Sequence, residues 1–236
     1  PGDAVLCEEP SFIGALNSFR SLGAVPVGVP MDADGINVVA FEEAAVRTGA
    51  RLAYLIPTFQ NPSGITMSAE KRRAIYEVAC RRGIMLIEDN PYGELRFAGS
   101  GVDTIKSIDA EGAVIYCSSF SKILAPGIRV GYVQAARAVV SKMVVAKQVE
   151  DVHTPMLTQL IAHAFMQSGT MDEHIRSAAQ LYGRKCALML SCLDRSMPKQ
   201  VTYTRPEGGL FLWCTYPEEV DITALTARLL EEKVAV

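Results

Sequence analysis

The stretch "SSFSKILAPGIRVGY", Ser118 to Tyr132, follows an apolar run, "AVIYC", with hydroxyls, Lys122 and, seven residues later, Arg129. A lysine leaving a buried strand costs desolvation unless it is paired, bound to something or swung into water. Two other apolar runs end in polar residues of the same kind. "YLIP" passes into "TFQNPSG", which carries Asn61, and "IMLIED" passes into "NPYG", which joins Asp89 to Tyr92. In an open parallel sheet, ligands bind beyond the carboxyl ends of the strands. An amide, an acid, a phenol, Ser119, Ser121 and a lysine at three such ends therefore read as one cleft built for cofactor chemistry.

The elements that must position these residues follow from periodicity. Short apolar runs alternate with helix-period segments, the pattern of βα units and a mainly parallel sheet. "AVLCEEP", "AVPVGVPM", "RLAYLIP", "IMLIED", "AVIYC" and "RVGYVQA" read as strands, with "DADGIN" as a turn. "SFIGALNSFRSLG", "VVAFEEAAVRTG" and "SAEKRRAIYEVACRRG" read as helices, the last opening on a Ser N-cap and closing on Gly83. From about residue 137 long helices take over, and the stretch from Thr170 to about Met197 is the longest. "VTYTRPEGGLFLWCTYP" reads as a hairpin with "RPEGG" at its turn, its glycines allowing close packing and Trp213 placed in the core. The expected architecture is a three-layer α/β/α large domain over residues 1–168, then the start of a smaller α+β domain over 169–236. The chain opens without an initiator methionine and stops at "LLEEKVAV", where a helix is expected to lead into a new strand, so it reads as a fragment lacking both ends.

Composition narrows the function. A net charge of −3 and a pI near 5.7 argue against a general nucleic-acid surface, while leaving room for small anions at a local positive site. No apolar run approaches the length of a membrane span and no leader peptide is evident. The six cysteines form no C-x-x-C pair and read as buried free thiols of a reducing, cytoplasmic setting. The three histidines, His153, His163 and His174, are too scattered for a metal site.

Taken in order, "NPSG", "D-x-x-Y", "S-x-S-K" and "R-V-G-Y" resemble the pyridoxal-phosphate enzymes of the aspartate-aminotransferase fold. The nearest likeness is to the branch that holds 2-aminoadipate and kynurenine aminotransferases, and it runs from "PGD-V---EP-F" to "P-GG-F-W". The resemblance implies pyridoxal 5'-phosphate as cofactor, with Lys122 forming the Schiff base and shuttling the proton. It gives Asp89 the ring nitrogen, Tyr92 and Asn61 the ring oxygen, and Phe12 the stacking face. Ser119, Ser121 and Arg129 become the phosphate clamp, for which a planar guanidinium suits bidentate contact. Glu88 is expected to point to the other face of its strand. The resemblance further implies an amino acid and a 2-oxo acid as substrates, a homodimer, and a cis Asn61–Pro62 bond. It also implies two parts not found here, a Gly-rich phosphate loop before Pro1 and a carboxylate-binding arginine beyond Val236; neither Arg205 nor Arg228 matches the latter.

Two alternatives stand beside transamination. One is the effector-sensing module of a transcription regulator, in which an aromatic usually replaces Asn61. The other is a pyridoxal-phosphate lyase on the same fold, which these motifs do not separate from a transaminase.

Overall fold

The computed structural model describes residues 1–235. Strand β1 (Ala4–Glu9) leads into helix α1 (Ile13–Ser21), strand β2 (Val25–Asp32), a two-residue strand β3 (Gly35–Ile36) and helix α2 (Val38–Thr48). Strand β4 (Leu52–Leu55), helix α3 (Ala69–Arg82) and strand β5 (Met85–Asp89) follow, then β6 (Val114–Ser119) and β7 (Gly131–Gln134). Local chemistry sets these limits. Ser68 accepts the Lys71 amide at 3.3 Å and Asn37 accepts that of Ala40 at 2.9 Å, so α3 and α2 are both capped. Both helices close on a glycine in the left-handed region, Gly83 and Gly49.

The seven strands form one sheet in the order β3-β2-β1-β4-β5-β6-β7. The five central strands are parallel, and both edge strands are antiparallel to their neighbours. The segment "DADGIN", expected as a plain turn, thus contributes β3 to a tight antiparallel edge.

Side-chain alternation divides the core between the two faces. Leu6, Leu55, Leu86 and Val114 lie with Phe41, Ile75 and Val78 of α2 and α3. Val5, Cys7, Tyr54 and Ile56 lie on the other face with Phe59 and Tyr92, packed by Leu16 and Phe19 of α1. The three-layer expectation holds.

Helices α4 (Arg137–Glu150), α5 (Met156–Gln167) and α6 (Met171–Ser196) come next. The first turns of α6 pack Met171, Ile175 and Ala178 onto Phe120, Ile123 and Val130 beside the sheet. Strands β8 (Thr202–Tyr203) and β9 (Cys214–Thr215) pair antiparallel, so the hairpin forms. Its connection is longer than expected, because "RPEGG" belongs to a ten-residue excursion, 204–213, that docks on the large sheet's loops rather than turning tightly. Gly208 makes this docking possible, since a Cβ there would lie 2.1 Å from the Phe59 ring. Trp213 is 38% exposed and does not enter the core. Helix α7 (Ile222–Glu231) is followed by no strand among the described residues. All six cysteines are free, with Cys7 buried and the others half-buried. Among the described residues no helix is long and apolar enough to cross a membrane, and no cluster of potential metal ligands occurs.

Candidate active site

Because β1, β4, β5 and β6 run parallel, the segments that follow them emerge at one edge of the sheet. Phe12 follows β1, Asn61 follows β4, Asp89 ends β5 with Tyr92 three residues on, and Ser119 ends β6 with Ser121 and Lys122 just beyond. Arg129 precedes the antiparallel β7 and so returns to the same edge. The register settles the faces. Cys7 pairs with Tyr54, Tyr54 with Ile87, and Asp89 with Cys117, which places Tyr54, Asp89, Cys117 and Ser119 on one side of the sheet. Glu88 lies on the other, where it is buried and accepts the Ile105 and Lys106 amides at 2.9 and 2.7 Å.

Asp89 is half-buried, and burial pushes its carboxyl above the usual carboxylate range. Opposing this, the Tyr54 hydroxyl donates to its Oδ2 at 2.6 Å. Tyr92 is buried, stands edge-on to Phe211 with ring centroids 5.5 Å apart, and takes a hydrogen bond from Asn61 Nδ2 at 3.4 Å. Its phenol is pushed up mainly by burial. Asn61–Pro62 is cis, as is Glu9–Pro10. Phe12 caps α1 with its ring over Gly14, and is 38% exposed.

The turn after β6 is closed by its own backbone, with Phe120 N–H donating to Val130 O at 3.0 Å and Leu124 N–H to Phe120 O at 2.8 Å. Ser119 Oγ accepts the Ser121 amide at 3.0 Å. The β6–β7 ladder ends where Ser119 pairs with Gly131, so Ser121 and Arg129 lie in the segments just beyond it. Arg129 sits at φ 54° with an exposed guanidinium that, among the described residues, donates only to Pro126 O, at 3.2 Å. Lys122 is exposed on this turn and makes no hydrogen bond or ion pair among the described residues. Hydrogen bonds therefore join Asn61 to Tyr92 and Ser119 to Ser121, whereas Phe12, Lys122 and Arg129 share the edge with no hydrogen bond to the others' side chains among the described residues.

Three buried residues that support this edge are not evident from the motifs. Tyr54 is the first. Gln60, fully buried, donates to Glu8 Oε2 at 3.2 Å and Pro10 O at 2.8 Å while accepting the Ser63 amide at 2.8 Å, so one amide ties the Phe12 loop to the Asn61 turn. Arg72 of α3 donates to the carbonyls of Met67, Asp103 and Pro57 and to Thr58 Oγ1, all within 3.0 Å. A signal for Arg72 exists in its spacing, because it precedes Ile75 by three positions on the buried stripe of α3.

An acid, a phenol-amide pair, adjoining hydroxyls, an exposed guanidinium and an amine with no protein partner among the described residues share the carboxyl edge of an α/β sheet. Comparison with known proteins gives the family. The family model for aminotransferase class I and II matches residues 1–236, and the chain belongs to that family. An aromatic-amino-acid aminotransferase of Thermococcus litoralis is 40% identical over 240 residues, covering 100% of this chain and 57% of that relative. A 2-aminoadipate transaminase of Thermus thermophilus is 39% identical over 237 residues, covering 99% of this chain and 59% of its own length. The crystal structure of a Pyrococcus horikoshii kynurenine aminotransferase in complex with PMP superposes with a TM-score of 0.96 at 36% identity, covering 100% of this chain and 59% of that one. The chain thus spans somewhat under two thirds of the length of these relatives. Family membership implies pyridoxal 5'-phosphate, and the donor set fits it: Asp89 Oδ1 and Lys122 Nζ have no protein partner among the described residues, and the Arg129 guanidinium has no acid.

Proposed function

We propose that the intact protein transfers an amino group between an amino acid and a 2-oxo acid, with pyridoxal 5'-phosphate held at this sheet edge. The observation that carries the reading is the placement of Asp89, with an unpartnered carboxylate oxygen, on the same face as Ser119 and at the same edge as Lys122. When bound, the cofactor supplies an electron sink that stabilises negative charge at the substrate's α-carbon. In this reading Asp89 holds a proton on the ring nitrogen by offering a carboxylate partner. Tyr92 Oη and Asn61 Nδ2 serve the ring oxygen, and Phe12, exposed at the edge, covers a ring face. Ser119, Ser121 and Arg129 bind phosphate, the guanidinium through paired N–H donors. Lys122 Nζ would be the amine that holds the cofactor and, as a neutral base, would move the proton at the substrate's α-carbon.

The three relatives are named for aromatic amino acids, 2-aminoadipate and kynurenine. We extend that range, long or aromatic side chains, to the donor of this protein. We also extend a homodimeric state and a reducing, cytoplasmic setting, the latter in keeping with six free cysteines.

The test uses the intact protein with pyridoxal phosphate, 2-oxoglutarate and a panel of those donors. Turnover of at least one donor to its 2-oxo acid, with glutamate formed in equal amount, is expected. Lys122→Ala is expected to lower turnover by several orders of magnitude, and borohydride trapping should place the pyridoxyl mass on the Lys122 peptide of the wild type. Near-normal turnover by Lys122→Ala overturns the assignment. Cofactor binding without turnover of any donor indicates a sensing module, and ammonia release without glutamate indicates a lyase.

A further inference from the structure

Tyr54 is the least expected polar group on the cofactor face. It interrupts an aliphatic strand, is 4% exposed, and its ring stands edge-on to Phe19 of α1 with centroids 5.8 Å apart. That packing leaves the hydroxyl one hydrogen bond, to Asp89 Oδ2 at 2.6 Å. Among the described residues, no other group donates to the Asp89 side chain. We propose that Tyr54 is a positioning residue for Asp89, its buried hydroxyl holding one carboxylate oxygen so that the other remains available to the cofactor's ring nitrogen. This inference rests on the assignment of Asp89 to that nitrogen.

The surroundings make the single donor matter. From β1, Glu8 brings a carboxyl and Cys7 a thiol pushed up to about 12. From β6, Cys117 brings a thiol pushed up to about 11, chiefly by burial and then by the charge of Asp89. Tyr92 brings a phenol that is also pushed up. None of these groups is a cation, so burial raises the Asp89 carboxyl and the Tyr54 hydrogen bond is what opposes the rise. The Tyr54 phenol is itself held far above its ordinary value by burial and by Asp89, so it stays protonated and always donates.

Tyr54→Phe removes the hydroxyl and keeps the ring on Phe19. In the cofactor-free intact protein, the Asp89 carboxyl, assigned by its loss from the carbon-13 spectrum of Asp89→Asn, should titrate about one to two units higher in Tyr54→Phe. In the loaded protein, kcat should fall roughly tenfold to hundredfold, the equivalent of that shift, while KM for the donor stays within about twofold. Should Tyr54→Phe fail to fold, 3-fluorotyrosine at position 54, a stronger donor, should instead lower the Asp89 midpoint. An Asp89 titration that neither substitution moves overturns the proposal. Asp89→Asn with wild-type turnover and cofactor affinity overturns the underlying assignment instead, so the two failures are told apart.

Discussion

Three carboxyl groups stand at the carboxyl edge of the sheet, and their surroundings give each a different charge behaviour. Glu88 is buried but accepts two backbone amides and lies 4.0 Å from the Arg72 guanidinium. Asp89 faces the other side of the sheet and has one donor among the described residues. Glu8 is the most isolated: it is 2% exposed, its Oε2 takes the Ile56 amide and Gln60 Nε2, and its Oε1 has no partner among the described residues. Burial lifts its carboxyl from 4.5 to about 7. The sign follows from proton binding. The folded chain keeps a proton that the unfolded chain releases, so this contribution to stability is whole below about pH 4.5 and is lost as pH rises through about 7. Glu8→Gln mimics the protonated acid at every pH. Its stability advantage over wild type should therefore grow by roughly 3 kcal/mol between pH 4.5 and 8, at about 1.4 kcal/mol per unit. Urea unfolding of both proteins at the two pH values measures the gap, and a gap that stays flat means that Glu8 is not held protonated.

At the scale of elements, the loop after β4 must keep Asn61 in place although most of its own residues cannot form regular structure. Arg72 does much of this from beneath, satisfying carbonyls of Pro57 and Met67 at the two ends of the loop. Arg72→Met keeps the apolar stem but abandons those acceptors and leaves Glu88 without its neighbouring cation. A loss of about 3–5 kcal/mol in urea unfolding is expected, as for breaking a buried charge pair, together with weaker cofactor retention. A variant within about 1 kcal/mol of wild type shows that water can take over the guanidinium's contacts. The same loop shows which features are legible from sequence. "QNPSG" marks the turn and Asn61 because turn chemistry is local. Gln60 is not legible as a tie, because its partner Glu8 lies 52 positions away and its role exists only once β1 and β4 are paired. Tyr54 and Asp89, 35 positions apart, meet for the same reason. The interior strands and capped helices were legible because apolar runs, Ser68 and Gly83 act locally. The direction of the edge strands was not, since β3 is two residues long and β7 four, too short for composition to decide how they pair.

For the whole molecule, the proposed homodimer needs a surface, and the distribution of exposed apolar side chains offers one. The end of α4, the connection after it and the start of α5 expose Val149 at 85%, Val152 at 67%, Met156 at 65% and Leu157 at 69%. Leu160 and Ile161 extend this exposed group along α5. A concentration of large side chains in water at one helix junction marks an interaction surface more often than a solvated one. A twofold dimer uses the same patch on both subunits, so a single junction can supply both halves of the contact. The intact protein is therefore expected to be a dimer at micromolar concentration by light scattering. Val149→Asp combined with Leu157→Asp places an unpaired charge on each side of the junction, and burying such charges costs several kcal/mol. The double variant should elute as a folded monomer with an unchanged far-ultraviolet spectrum, because neither side chain contributes to the core. A wild-type protein that is monomeric, or a double variant that remains fully dimeric, removes this junction from the interface.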